Sequence, residues 1–149
     1  MFSALVLEDQ DAVLRALRDV GLDGFAGHSI GALSRGQFQR VLFARLLLQD
    51  SPMILLDEPF TALDQRTEAD LISVVQRWHW EGRTVVAVMH DLDLVRRVFS
   101  TSLLLAPDLV AWGNSDDVLC PENLRTARTL GASWGDEATR CALPREVAA

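Results

Sequence analysis

The sequence predicts an α/β domain built on parallel strands, and three observations carry that prediction. Two apolar runs, Met53–Leu56 and Thr84–Met89, are rich in Ile, Leu and Val without alternation, as in strands covered on both faces. Between them Leu71, Ile72, Val75 and Trp78 recur at helical spacing. Strand, helix and strand thus follow one another within residues 53–89, a crossover unit whose strands run parallel.

The remaining elements follow in order. A first helix is expected from about Asp11 to Val20, with Val13, Ala16, Leu17 and Val20 on one face. Gly21 then suits the left-handed position past its end, and Leu22 folds back onto Leu17. After a loop from Asp23 to Leu33, a second helix starts at Ser34. Ser34 and Gln37 form an S-x-x-Q capping box, in which each side chain satisfies a backbone N–H left unpaired at the helix start. The run from Phe38 to Leu48 is apolar on most sides, so this helix is expected to be largely buried. Ser51-Pro52 ends it. Asp64 caps the third helix and Gly82 closes it. A short helix near Leu92–Phe99 and strands at Ser102–Ala106 and Leu109–Trp112 complete the pattern, with a Pro107-Asp108 turn between the strands. From Pro121 onward helical signals are weak, and residues 121–149 are read as a tail.

Composition narrows the chemistry. The 149 residues carry 21 acidic and 14 basic side chains, a formal charge of −7. Every basic residue is arginine; lysine and tyrosine are absent. There is no Schiff-base lysine and no phosphate-binding P-loop lysine. An acidic chain lacks the clustered positive charge that nucleic acid or an anionic membrane surface demands. No run approaches the roughly 18 apolar residues of a membrane span, so no direct membrane insertion is expected. The start, Met1-Phe2-Ser3-Ala4-Leu5, has no basic region or cleavage site of a secretory signal. Cys120 and Cys141 lie in no CxxC spacing and read as plain thiols of a reducing compartment. A soluble, cytoplasmic protein is expected.

The reactive side chains cluster at strand ends, where ligands of open parallel sheets lie. Met53–Leu56 runs into Asp57-Glu58, and Val86–Met89 runs into His90-Asp91. Two adjacent carboxylates after an apolar strand are costly unless their charge is offset. A magnesium ion bearing phosphates offsets it: Asp57 holds the metal directly or through water, and Glu58 serves as general base towards an attacking water. His90 donates to a terminal phosphate. Taken singly, two acids after a strand read as a solvated loop or helix cap, and Ser34 with Gln37 as an ordinary helix start. His28 and His79 receive no ligand role. The distinguishing feature is the occurrence of these pieces together, in one order.

That constellation resembles the ATP-binding subunits of ABC transporters. Leu33-Ser34-Arg35-Gly36-Gln37 is similar to the signature LSGGQ, and Gln39-Arg40-Val41 through Ala44-Arg45 to the QRV-x-x-AR helix that follows it. Ile54-Leu55-Leu56-Asp57-Glu58-Pro59 resembles Walker B with its catalytic glutamate, Ala62-Leu63-Asp64 the D-loop, and His90-Asp91 the switch histidine and its companion. The likeness runs through residues 9–120, so residues 1–120 are expected to form the C-terminal portion of such an ATPase domain. It implies a P-loop NTPase-type three-layer fold on a parallel sheet, here incomplete.

The resemblance also implies roles. In the family two subunits pack head to tail, with each ATP between one subunit's P-loop and the other's signature. Ser34, Arg35, Gly36 and Gln37 would then face the nucleotide. Free N–H groups, the positive end of the helix dipole and a hydroxyl agree with an anion there. Asp57 would serve Mg²⁺, Glu58 would polarise the water, His90 would sense the γ-phosphate, and Asp64 would help to join the subunits. A membrane permease subunit is the other implied partner, placing the chain peripherally on the inner face of the cell membrane.

Two departures stand out. Arg35 replaces a consensus glycine and adds a positive charge near the expected phosphate. The P-loop, the strand before it and the glutamine loop are all missing from the 149 residues. In the family the P-loop strand lies between the strand ending at His90 and the strand near Leu103–Leu105. Without it two strand edges would be left open, an arrangement that favours aggregation or pairing with another chain. The segments 38–45, 58–64 and 89–92 look most like the zinc/manganese importer group, with chelated-iron importers as near neighbours. Three function classes stay open: an ATPase subunit of a metal-ion importer, a non-catalytic module that docks on a complete subunit, and a non-transport ABC ATPase.

Overall fold

A computed structural model describes the backbone of residues 2–140, and side chains from residue 10 to residue 132. Cys141 and the end of the predicted tail, residues 141–149, lie outside the described residues. The chain divides into two compact units, Met1–His90 and Asp91–Ala149.

The first unit opens with α1 (Phe2–Asp19), which begins nine residues before the expected Asp11. Residues 2–10 hold no glycine or proline to stop a helix running backwards from Asp11. Its end is as expected: Leu22 N–H donates to Leu17 O at 2.8 Å and Gly21 N–H to Arg18 O at 2.9 Å, with Gly21 at φ 74°. This paired closure needs the left-handed residue that glycine supplies. Ala16, Val20 and Leu22 are buried, and α1 packs against α2 (Arg35–Gln49). A single 3-10 turn, Ile30–Ala32, lies between them.

Helix α2 is less buried than its composition predicts. Phe43 and Ala44 are buried, whereas Phe38 and Leu48 are exposed. Its neighbours α1 and α3 (Gln65–Trp80) cover only part of its circumference. Phe43 is the anchor: its ring stacks on Trp78 at 5.4 Å and 11°, and lies 6.4 Å from Phe60. With Ile54 and Leu71, Phe43 and Trp78 are the largest fully buried side chains of the described residues.

Strands β1 (Met53–Asp57) and β2 (Thr84–Val88) pair in parallel as expected, from Met53↔Thr84 to Asp57↔Val88. Their burial does not follow expectation. Ile54 and Leu56 are buried, but Leu55 is 70% and Val88 61% exposed, with Met53 and Val86 also open. The apolar runs were expected to be covered on both faces; among the described residues of this unit one face is open. Helix α3, with Leu71, Val74, Val75 and Trp78 turned inward, packs on the sheet.

The second unit comprises α4 (Leu92–Val98), β3 (Thr101–Leu105), β4 (Leu109–Asn114), α5 (Ser115–Val118) and α6 (Pro121–Arg140). Strands β3 and β4 form an antiparallel hairpin, closed by Ala106 N–H donating to Asp108 O at 3.0 Å. The turn expected at Pro107-Asp108 permits only this antiparallel pairing, while the parallel pairing expected of the crossover unit is that of β1 with β2. Buried Ser115 ties the start of α5 to Phe99 O and to the Ser102 hydroxyl. Arg96 donates to Leu119 O at 2.6 Å.

The segment read as a tail instead opens as helix α6. Pro121 takes its first position, where a missing N–H costs nothing, and Glu122 lies in the first turn. Asn123 donates to Val118 O at 3.0 Å and ties α6 to α5. Cys120 is a half-buried free thiol. No helix among the described residues is long and apolar enough to cross a membrane.

The open faces and the stacked core each generate a prediction. The isolated chain is expected to self-associate through apolar strand surface, as exposed strands promote. Sedimentation velocity should show oligomers that diminish in a Leu55→Thr/Val88→Thr double variant; a monomeric, cooperatively unfolding wild type would refute this. Phe43→Ala should cost about 3–5 kcal/mol in denaturant unfolding through lost packing and the cavity it leaves.

Candidate functional site

The parallel ladder brings the first cluster together. Asp57 ends β1 opposite Val88, and Glu58 N–H adds one further bond to Val88 O at 2.9 Å. Glu58 then turns into the left-handed region at φ 43°, which is strained for a residue with a side chain. The turn carries its carboxylate to His90: Glu58 Oε1 lies 3.2 Å from His90 Nδ1. Its other oxygen, Oε2, accepts from the Thr61 hydroxyl at 3.1 Å. Both oxygens are thus held, while the side chains of Glu58 and His90 stay 48% and 67% exposed. A tethered, solvent-facing carboxylate beside an imidazole can orient a water and receive its proton.

Asp57 is exposed beside this pair. No group of three or more His, Cys, Asp or Glu side chains among the described residues could hold a metal unaided. The donor set fits Mg²⁺ in its usual manner, with one or two carboxylates from protein and the remaining oxygens from phosphate and water. Asp91, the companion of His90, caps α4: its Oδ1 accepts from Asp93 N–H at 3.1 Å and Leu94 N–H at 3.0 Å.

The second cluster surrounds the start of α2. The capping box forms as expected, with Ser34 N–H donating to Gln37 Oε1 at 2.9 Å and Gln37 N–H to Ser34 Oγ at 3.3 Å. The N–H groups of Arg35 and Gly36 have no intrahelical acceptor, as at any helix start. Arg35 is exposed. Gly36 lies over the start of α3: a Cβ there would sit 3.5 Å from Thr67 and 3.8 Å from Asp64 Oδ2.

Asp64 caps α3 with both oxygens. Thr67 N–H donates to Oδ1 at 2.9 Å and the Thr67 hydroxyl to Oδ2 at 2.7 Å. These bonds, the backbone one foremost, hold the Asp64 carboxyl below its ordinary value of 3.8. Asp64 is therefore first a helix cap in this chain.

Four residues to which the sequence assigned no site role build the framework. Thr61 steadies Glu58, and Thr67 steadies Asp64. Gln39 donates to Pro59 O at 3.0 Å, fastening α2 to the loop beyond Glu58. Arg40 donates to Val20 O, Thr67 Oγ1 and Asp70 Oδ2 at 2.7, 3.3 and 2.7 Å. The available signal was a charged Arg40 inside the apolar run 38–48, a position where an unpaired guanidinium would be penalised.

Because the folded Asp64 carboxyl ionises more readily than an unfolded one, its contribution is present above about pH 4 and lost as pH falls through the folded value. Thermal midpoints followed from about pH 5 to about pH 2 should fall more steeply in the wild type than in Asp64→Asn. Parallel curves would exclude the cap as a source of acid sensitivity. Ser34→Ala should lower unfolding free energy by about 1 kcal/mol through loss of the α2 cap.

The ABC transporter family model matches residues 3–61. The manganese transport system ATP-binding protein MntB of Halalkalibacterium halodurans is 40% identical over 114 residues, 76% of this chain and 46% of that protein. The thiamine import ATP-binding protein ThiQ of Jannaschia sp. is 44% identical over 99 residues, 66% of this chain and 43% of that protein. Among solved structures, the dimeric post-hydrolysis state of the ATP-binding cassette MJ0796 with ADP and Pi superposes with a TM-score of 0.65 at 32% identity. It covers 72% of this chain and 47% of that one. The chain thus spans about half the length of the curated relatives it matches. With the ordered motifs, the crossover strands and these likenesses in agreement, the chain belongs to the ABC transporter ATP-binding family.

Proposed function

We propose that this chain carries the signature and Walker B portion of an ATP-binding subunit that energises import of a metal ion, zinc or manganese, through an ABC transporter. The observation that carries the reading is the Glu58–His90 pair, 3.2 Å apart at the ends of adjacent parallel strands and following Asp57 in the motif order. In this reading Asp57 holds Mg²⁺, whose charge screens the nucleotide phosphates. Glu58, anchored by Thr61, takes the proton of the attacking water. His90 donates to the γ-phosphate. Ser34, Arg35, Gly36 and Gln37 receive phosphate bound by a second subunit packed head to tail, and Asp64 stands at the junction between subunits. A membrane permease is the further partner, so the assembled chain lies peripherally on the cytoplasmic face of the cell membrane. The manganese relative supports a metal as cargo.

One observation favours a second reading. The 149 residues contain no lysine and therefore no side chain of the P-loop type. A non-catalytic module that docks its signature on a complete subunit would have this composition. An in-frame GxxxxGK[ST] upstream of the Met1 codon would favour the first reading, and stop codons there the second.

The 149-residue chain alone is expected to show no ATP turnover, because nothing in it cradles the β- and γ-phosphates. Turnover by the purified chain that disappears in Glu58→Gln would overturn this. Mixed with a complete ATP-binding subunit and Mg·ATP, the chain should associate, and Gly36→Asp should abolish the association while far-UV dichroism stays unchanged. ATP-independent association, or its persistence in Gly36→Asp, would refute the signature role. Uptake of thiamine rather than manganese or zinc by cells carrying the complete transporter would overturn the cargo.

A further inference from the structure

Arg40 is a guanidinium only 12% exposed that serves three elements at once. Nη1 donates to Val20 O at the end of α1, and Nη2 donates to the Thr67 hydroxyl and to Asp70 Oδ2 in the first turns of α3. The planar fork explains why one side chain reaches all three; an ammonium on a flexible stem has no such fixed geometry. Gly21 leaves room for it, since a Cβ there would lie 3.0 Å from Nη1.

The consequence lies one bond further on. A threonine hydroxyl has one hydrogen and two lone pairs, and a guanidinium only donates. With Arg40 donating to Thr67 Oγ1, the single Thr67 hydrogen is left for Asp64 Oδ2, 2.7 Å away. Arg40, Thr67 and Asp64 therefore form a one-way hydrogen-bond chain in which Arg40 and Thr67 donate and Asp64 is the final acceptor. Its last two members are the side chains beneath Gly36 in the signature turn. Gln39, next in sequence, fastens the same helix to Pro59 O, beside Glu58.

We infer that Arg40 is a positioning residue: through Thr67 it orients the Asp64 carboxylate against the signature turn at Gly36, so that turn and loop meet a second ATP-binding subunit as one preformed surface. This inference rests on the proposed pairing of the chain with such a subunit. Preformation spares the ordering cost that two loosely connected segments would incur on association.

The test compares wild type, Arg40→Met and Thr67→Val in the full 149-residue chain, by two readouts. Carbon-detected NMR titration of the Asp64 carboxyl follows the relay whether or not a partner binds. Sedimentation with a complete ATP-binding subunit and Mg·ATP follows association. Both variants should raise the Asp64 midpoint and weaken association about tenfold or more. Asp70→Asn, which keeps an acceptor for Arg40, should stay within about twofold of wild type. Thr67→Val guards against misfolding of Arg40→Met, since it is isosteric and leaves the other two Arg40 bonds in place. An Asp64 midpoint unmoved by either variant overturns the inference. So does a moved midpoint with association unchanged. If the midpoint moves but wild type itself never associates, the proposed function falls, and with it the purpose assigned to Arg40, while the relay stands.

Discussion

The parallel pairing of β1 with β2 is the constraint on which the site depends. Its register sets Asp57 opposite Val88 and lets Glu58 N–H donate to the Val88 carbonyl. From that fixed point a single left-handed residue is enough to bring Glu58 to His90, although 31 positions separate them in the chain. A slip of one residue would send the side chains of each strand to the opposite face. The pairing is held by α3, whose Leu71 and Trp78 are fully buried, and by the stack of Trp78 on Phe43 from α2. Core packing and site geometry therefore share the same residues.

The two clusters of functional side chains are built differently. At the strand ends the backbone ladder does the positioning, and the side chains remain open to solvent. At the start of α2 the positioning is done by side chains: the Ser34–Gln37 box, the Asp64–Thr67 cap and the Arg40 fork. Gln39 links the two regions through Pro59 O. A helix start with free N–H groups is generic; what distinguishes this one is that its surroundings are fixed by a neighbouring helix cap.

Much of this was legible in the sequence because it is local. The capping box, the glycine closure after Val20 and the Asp64 cap are patterns within a few residues, and each forms with the bonds that its pattern requires. The crossover unit was legible from periodicity. The burial of the strands was not: a continuous apolar run implies cover on both faces, but cover is supplied by other elements. Leu55 and Val88 remain exposed because the described residues of this unit bring helix α3 to the sheet and leave the other face open. Helix α6 was legible only as weak helical signals, because Pro121 and Glu122 mark its start over a segment of low overall hydrophobicity.

By itself, then, the sequence determined the element types, the order of the motifs and the family to which they point, since propensity, capping and periodicity act over a turn or two of chain. Only the tertiary structure decided that Glu58 meets His90 and that Arg40, Thr67 and Asp64 join in one hydrogen-bonded chain. These contacts join residues far apart in the chain, and no local pattern records which distant donor will find which acceptor. Distance along the chain is the dividing line, because a hydrogen bond between remote side chains exists only once packing has brought its two ends within about 3 Å of each other.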